Sequence, residues 1–122
     1  MALRRIGYAC IAFMFMHSGA QAAMDPGVRT AKAAALGVPD PELAVRANGA
    51  LMTAAGAALA LGFRPRLAAG LLAALLVPTT IAGHPFWTEP KGAARKGMVT
   101  QFLKNLSMFG GLLVVLSQKD AD

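Results

Sequence analysis

Four apolar segments, Ile6 to Ala23, Leu43 to Gly62, Leu67 to Gly83 and Met98 to Leu116, leave this chain little choice of fold. A hydrocarbon core about 30 Å thick is crossed by around 20 helical residues, with about 17 as the lower limit, so each segment is a short span and the third is the tightest. Read as strands, the same segments would leave open edges unpaired in lipid, and their apolar residues do not alternate. Of the 122 residues 56% are apolar and 15% charged, with a mean hydropathy of +0.51. A soluble domain this small would leave much of that surface facing water. The expected fold is an all-α membrane protein, a four-helix transmembrane bundle running up-down-up-down, with residues 1–122 as a single membrane domain and spans near 6–23, 43–62, 67–83 and 98–116.

The first segment has a rival reading. Arg4 and Arg5 precede an apolar run ending in Ala20-Gln21-Ala22, the pattern of a secretory signal with an A-x-A cleavage site. A retained helix is the reading taken, because three remaining spans would lack a partner.

The connections punctuate the spans. Val28 to Leu36 fits a short helix at the membrane interface, broken by Gly37-Val38-Pro39, and Asp40-Pro41 reads as an N-cap followed by proline at the first helical position. Gly62-Phe63-Arg64-Pro65-Arg66 is a tight turn that makes the second and third spans antiparallel neighbours. Ala54-Ala55-Gly56-Ala57-Ala58, Ala68-Ala69-Gly70 and Gly110-Gly111 supply the small residues that let helix backbones approach in lipid, where burying one apolar face against another gains little.

The net charge of +6 does not point to nucleic acid. No basic run exceeds two residues, and the basic side chains flank apolar stretches, where they anchor helix ends and meet anionic headgroups. Arg4, Arg5, Arg64, Arg66 and Lys119 share the side of the termini and Arg29, Lys32, Arg46, Lys91, Arg95 and Lys96 the other, so a bare count does not decide. The first set crowds very short segments and the first span often dominates, which favours cytoplasmic termini.

Up-down-up-down topology gathers the polar residues at one end. His17 near the end of span one, Arg46 and Asn48 opening span two, Thr79, Thr80 and His84 closing span three, and Lys104 and Asn105 early in span four all lie in the same half of the bilayer. At about 1.5 Å per residue, His17 sits roughly 7 Å below the boundary. Ionisable residues within spans are costly and face a bundle interior or a wet cavity, so a polar chamber is expected there. Bland alternatives stand beside it: Lys104 snorkelling to headgroups, a neutral His17 bonded across helices, Arg46 as an interface anchor, Asn48 and Asn105 tying helices together, and Thr79 and Thr80 serving backbone groups freed by Pro78. His84-Pro85-Phe86-Trp87 reads either as a rigid cap over the chamber or as a plain interfacial anchor. The ligand-binding candidates are therefore His17, Asn48, Thr80, His84, Trp87, Lys104 and Asn105. Metal is not expected: two separated histidines are thin material for a site, and no H-E-x-x-H helix, cysteine pair, phosphate loop or intramembrane carboxylate is present. The lone Cys10, inside an apolar stretch, reads as an inert buried thiol.

His84-Pro85-Phe86-Trp87, Gln101-Phe102-Leu103-Lys104-Asn105-Leu106 and Gly110-Gly111-Leu112-Leu113 resemble the C-terminal half of the DoxX family of small bacterial membrane proteins. Phe15 to Gly19 with Asp25-Pro26, Asn48-Gly49 to Gly62, and Arg66-Leu67-Ala68-Ala69 resemble its first three helices. The resemblance implies a four-helix membrane bundle, a link to quinone-dependent oxidase and thiosulfate-oxidising systems, and, for some members, membrane redox complexes that protect against oxidative stress. Family likeness alone does not carry an activity. With one cysteine, redox work here needs a bound quinone or a partner to supply it. The expectation is an accessory or scaffolding subunit of a quinone-linked redox complex in the bacterial cytoplasmic membrane, without independent catalysis. His17, His84 and Lys104 are candidate donors to a quinone carbonyl. A small-molecule carrier or channel and a purely structural subunit are the alternatives. Expected partners are the lipid bilayer, other membrane subunits and further copies of the chain, with no nucleic acid.

Overall fold

The structure, a computed structural model, describes residues 2–83 and 86–119. It contains five α-helices, α1 (Ala2–Met24), α2 (Gly27–Ala35), α3 (Pro41–Leu61), α4 (Pro65–Gly83) and α5 (Ala93–Ser117), with a 3-10 turn at Phe86–Thr88 before α5. No strand occurs among the described residues. Among the described residues three helices, α3, α4 and α5, are long and apolar enough to cross a membrane. Four such spans were expected. The 23-residue α1 is long enough but falls short in apolarity, because His17, Ser18 and Gln21 interrupt its second half and Arg4 and Arg5 its first turn.

The local chemistry explains the boundaries. Pro41 occupies the first turn of α3, where its missing N–H costs nothing, and Asp40 precedes it in the left-handed region with φ 50°. Asp40 stands at the N-cap position expected for it, but its carboxylate accepts no capping bond from the helix N–H groups. At the other end of α3, Gly62 takes φ 71°, its N–H bonds to the Leu59 carbonyl at 3.0 Å and Phe63 N–H reaches the Ala58 carbonyl at 2.8 Å. That paired closure is a Schellman turn, and it reverses the chain into α4 within three residues. Helix α5 begins five residues before the apolar segment does, at Ala93, because Ala93-Ala94-Arg95-Lys96 are good helix formers once Pro90 and Gly92 are passed. The short interfacial helix expected near Val28 is α2, whose one buried residue is Ala33.

Contacts between helices are antiparallel. Along α1 and α3, Gly19 meets Gly49, Ala12 and Met16 meet Gly56, and Arg5 meets Gly62. A Cβ on Gly19 would lie 2.6 Å from the Gly49 carbonyl oxygen, and one on Gly49 would lie 2.5 Å from that of Gly19, so the two backbones touch where no side chain fits. Between α4 and α5, Arg66 Nε donates to the Leu116 carbonyl at 2.9 Å and Asn105 Nδ2 to Thr80 Oγ1 at 2.9 Å, from opposite ends of the pair. Tyr8 OH donates to Gln118 Oε1 at 2.6 Å and joins α1 to the end of α5.

The core is thin and made of small residues. Leu59, Leu72 and Leu112, one each from α3, α4 and α5, are its largest fully buried side chains, with Ala12, Ala69 and Phe15 packed among them. Large apolar residues such as Leu51, Leu71, Val77, Leu106 and Val114 lie on the outside. Helices that are apolar all round suit a lipid surrounding.

Candidate functional site

The end of the molecule that holds the C-termini of α1 and α4 and the N-termini of α3 and α5 is organised around two consecutive threonines. Pro78 has no N–H, so the Ala74 carbonyl of α4 loses its usual donor. One residue on, Thr79 Oγ1 donates to the Leu75 carbonyl at 2.9 Å and accepts from Asn48 Nδ2 at 3.3 Å. Successive helical residues point about 100° apart, so Thr80 faces a different neighbour. It accepts from Asn105 Nδ2 at 2.9 Å. Thr79 thus ties α4 to α3, and Thr80 ties it to α5. Asn105 is the one buried polar residue among the described residues, 8% exposed.

Beside the Thr80–Asn105 bond lies an open groove of about 220 Å³ between α4 and α5, walled by Leu76, Ile81, Phe102, Leu106 and Phe109. Phe102 also belongs to a ring cluster. Its centroid is 5.2 Å from Phe86 and 6.2 Å from Trp87, and Phe86 and Trp87 are 5.2 Å apart, all edge to face. That geometry sets the positive edge of each ring against the negative face of the next. The 3-10 turn is held against α5 in this way, and Trp87 stays half exposed.

The cations of this end serve helix termini. Arg46 donates to the Ala23 carbonyl at 2.7 Å, at the end of α1, and pairs with Glu42 at 3.3 Å. Lys32, from α2, donates to the Gly83 carbonyl at 3.1 Å, at the end of α4. Both place positive charge where the helix dipole is negative. Of the sequence candidates, Asn48, Thr80 and Asn105 are drawn into one hydrogen-bonded layer, and Trp87 stands at its rim in the ring cluster. His17 and Lys104 share that level but are exposed on the outer surfaces of α1 and α5. His84 lies outside the described residues. Lys32, Phe86 and Phe102 were not candidates. Only the aromatic pattern around Trp87 hinted at the two rings, and nothing local in the sequence marks Lys32 as the cap of a helix fifty-one residues away. No group of three or more metal-ligating side chains occurs among the described residues.

Replacing Asn105 with Leu keeps its branching and number of heavy atoms and removes the donor to Thr80. Interhelical hydrogen bonds in bilayers average about 0.6 kcal/mol and reach about 1.7, so Asn105→Leu, which removes a short and buried one, is expected to destabilise by about 1–1.7 kcal/mol. Asn48→Leu, whose bond is longer, is expected to cost about 0.5 kcal/mol. Unfolding in mixed micelles of rising denaturing-detergent fraction measures both, and equal losses would refute the ranking.

All-helical architecture, three span-capable helices and an apolar exterior define a helical membrane protein. The chain belongs to the DoxX family, whose model matches residues 4–85. That match covers α1 to α4, while α5 with its Gln101-Phe102-Leu103-Lys104-Asn105-Leu106 stretch lies beyond it. No curated protein and no solved structure shows a match.

Proposed function

We propose that the chain is a multi-pass protein of the bacterial cytoplasmic membrane, a four-helix transmembrane bundle running up-down-up-down with cytoplasmic termini, and an accessory subunit of a quinone-linked redox assembly without catalysis of its own. The α4–α5 groove carries this reading. A quinone headgroup is a flat ring with carbonyl acceptors on an apolar tail. The groove offers Phe102 to a ring and apolar walls open to lipid for a tail, with Asn105 buried beneath its apolar lining. An amide nitrogen has two hydrogens and Thr80 takes one, so a carbonyl bonds the second once the apolar lining over Asn105 parts. His17 and Lys104, exposed elsewhere, are not needed for this contact. As the fourth span, α1 is about 34 Å long at the helical rise and runs antiparallel to α3.

Purification in mild detergent, followed by extraction and chromatography of bound lipids, tests the reading. Wild-type protein is expected to retain isoprenoid quinone together with oxidoreductase subunits, and Asn105→Leu and Phe102→Ala to lose the quinone. Wild-type protein free of quinone counts against it. One observation favours a second reading, a purely structural subunit: the amides and hydroxyls of the polar layer bond one another from helix to helix. Normal subunit recovery and respiration with Asn105→Leu would support that alternative.

A further inference from the structure

The outer face of α1 carries a pattern that the fold leaves unused. Positions 3, 6, 10, 13, 17, 20 and 24 alternate in steps of three and four over three heptads, as Leu3, Ile6, Cys10, Phe13, His17, Ala20 and Met24. This is the a/d spacing of a left-handed helix pair. Leu3, Ile6, Phe13 and Met24 are 83%, 59%, 69% and 73% exposed; Cys10, expected from the sequence to be buried, is exposed because it lies on this outer face, and so is His17. The residues α1 does bury, Tyr8, Ala12, Phe15, Gly19 and Ala22, occupy the opposite face.

His17 is the anomaly that decides who covers this seam. In lipid a polar side chain on an outward face lacks hydrogen-bond partners, and no described residue bonds His17. Gln21, one turn on, is exposed beside it. Among the described residues neither side chain has a hydrogen-bond partner, and a second helix seated on this face would bring one.

We infer that α1 is the interface of a parallel homodimer, in which the heptad seam meets its own copy and His17 pairs with His17. The inference rests on the membrane reading above. Two copies inserted in the same sense are related by an axis along the membrane normal, so each seam residue faces its counterpart at equal depth. Such an interface must carry no charge, because any charge would face itself. Between Ile6 and Met24 the seam has none. A neutral imidazole holds one N–H and one acceptor nitrogen, so one ring donates to the other, and an amide is self-complementary in the same way. One polar residue at an a position also fixes register, as in soluble coiled coils.

Cys10, at an a position, reports the contact without mutation. Membranes holding the full chain are treated with copper–phenanthroline, which removes two electrons from two thiols while two protons leave and one S–S bond forms. A disulfide dimer is expected from the native chain, and again from Phe13→Cys in a Cys10→Ser background. Leu51→Cys in that background, on the outer face of α3, is expected to stay monomeric. His17→Leu is expected to lower the Cys10 dimer yield about threefold to tenfold. Equal crosslinking from Leu51→Cys overturns the inference. So does the absence of dimer from both Cys10 and Phe13→Cys while the chain resists carbonate washing. A chain that washes out of the membranes removes the membrane reading, and the dimer with it.

Discussion

Gly49→Ala should force α1 and α3 apart, and Gly19→Ala should do the same from the other side. The added methyl on Gly49 would sit 2.5 Å from the Gly19 carbonyl oxygen and 2.8 Å from the Ala23 backbone nitrogen. These are backbone atoms, so no rotamer change relieves the clash and the helices must separate along their longest contact. In lipid that separation forfeits the close packing that holds helices together. Overpacking of this kind costs about 1–3 kcal/mol, and the upper end applies where the obstruction is main chain. Gly110→Ala is the control, because a Cβ there meets nothing within 4 Å. It should leave stability unchanged or raise it by up to about 1 kcal/mol through helix propensity. Detergent-titrated unfolding of the three variants should place Gly49→Ala and Gly19→Ala far below wild type and Gly110→Ala at or above it. A Gly49→Ala protein as stable as Gly110→Ala would disprove the close α1–α3 contact.

The contrast between these glycines shows where sequence reading stops. Gly56, Gly70 and Gly110-Gly111 were all legible as small residues suited to packing, yet Gly56 lies under Met16 while Gly110 lies open. Composition says that a helix can approach closely. Which glycine is used depends on how two helices rotate about their own axes, and that is settled by many weak contacts far apart in sequence. The helices themselves were legible because proline, glycine and charge punctuate apolar runs, as at Asp40-Pro41 and Gly62. Apolarity averaged over a segment was less so: α1 has the length of a span, but His17, Ser18 and Gln21 leave it less apolar than the three helices that qualify on composition.

The polar layer was legible in depth but not in direction. Alternating helix sense places Asn48, Thr79, Thr80 and Asn105 at one end, where the structure joins them in two bonds. The same argument places His17 and Lys104 at that end, and they point outward. Asn105 and Lys104 are adjacent, about 100° apart on α5, so only one can face α4. Burying an amide with a hydroxyl partner costs far less than burying an ammonium with none. The pairing of Thr80 with Asn105 rather than Lys104 follows from that difference once the helices are placed, and cannot be read from spacing.

A carboxylate on the apolar exterior separates lipid from water by the sign of its effect. Leu51, at the centre of α3, is 48% exposed and touches no polar layer. On an aqueous surface Leu51→Asp would change stability by about 0.5 kcal/mol or less and would improve solubility. At mid-bilayer the exchange replaces a residue worth about −0.5 kcal/mol by one costing about +3, so insertion should weaken by about 3–4 kcal/mol. Leu43→Asp tests depth on the same helix. Leu43 is 62% exposed, even more than Leu51, but it lies in the first turn, where a carboxylate reaches headgroup water and favours the positive end of the helix dipole. Exposure alone therefore ranks Leu43 as the more accessible position, whereas a bilayer makes Leu51 the damaging one. Quantitative immunoblotting of carbonate-washed membranes should find Leu43→Asp at wild-type level and Leu51→Asp largely lost, and the reverse order would place α3 in water.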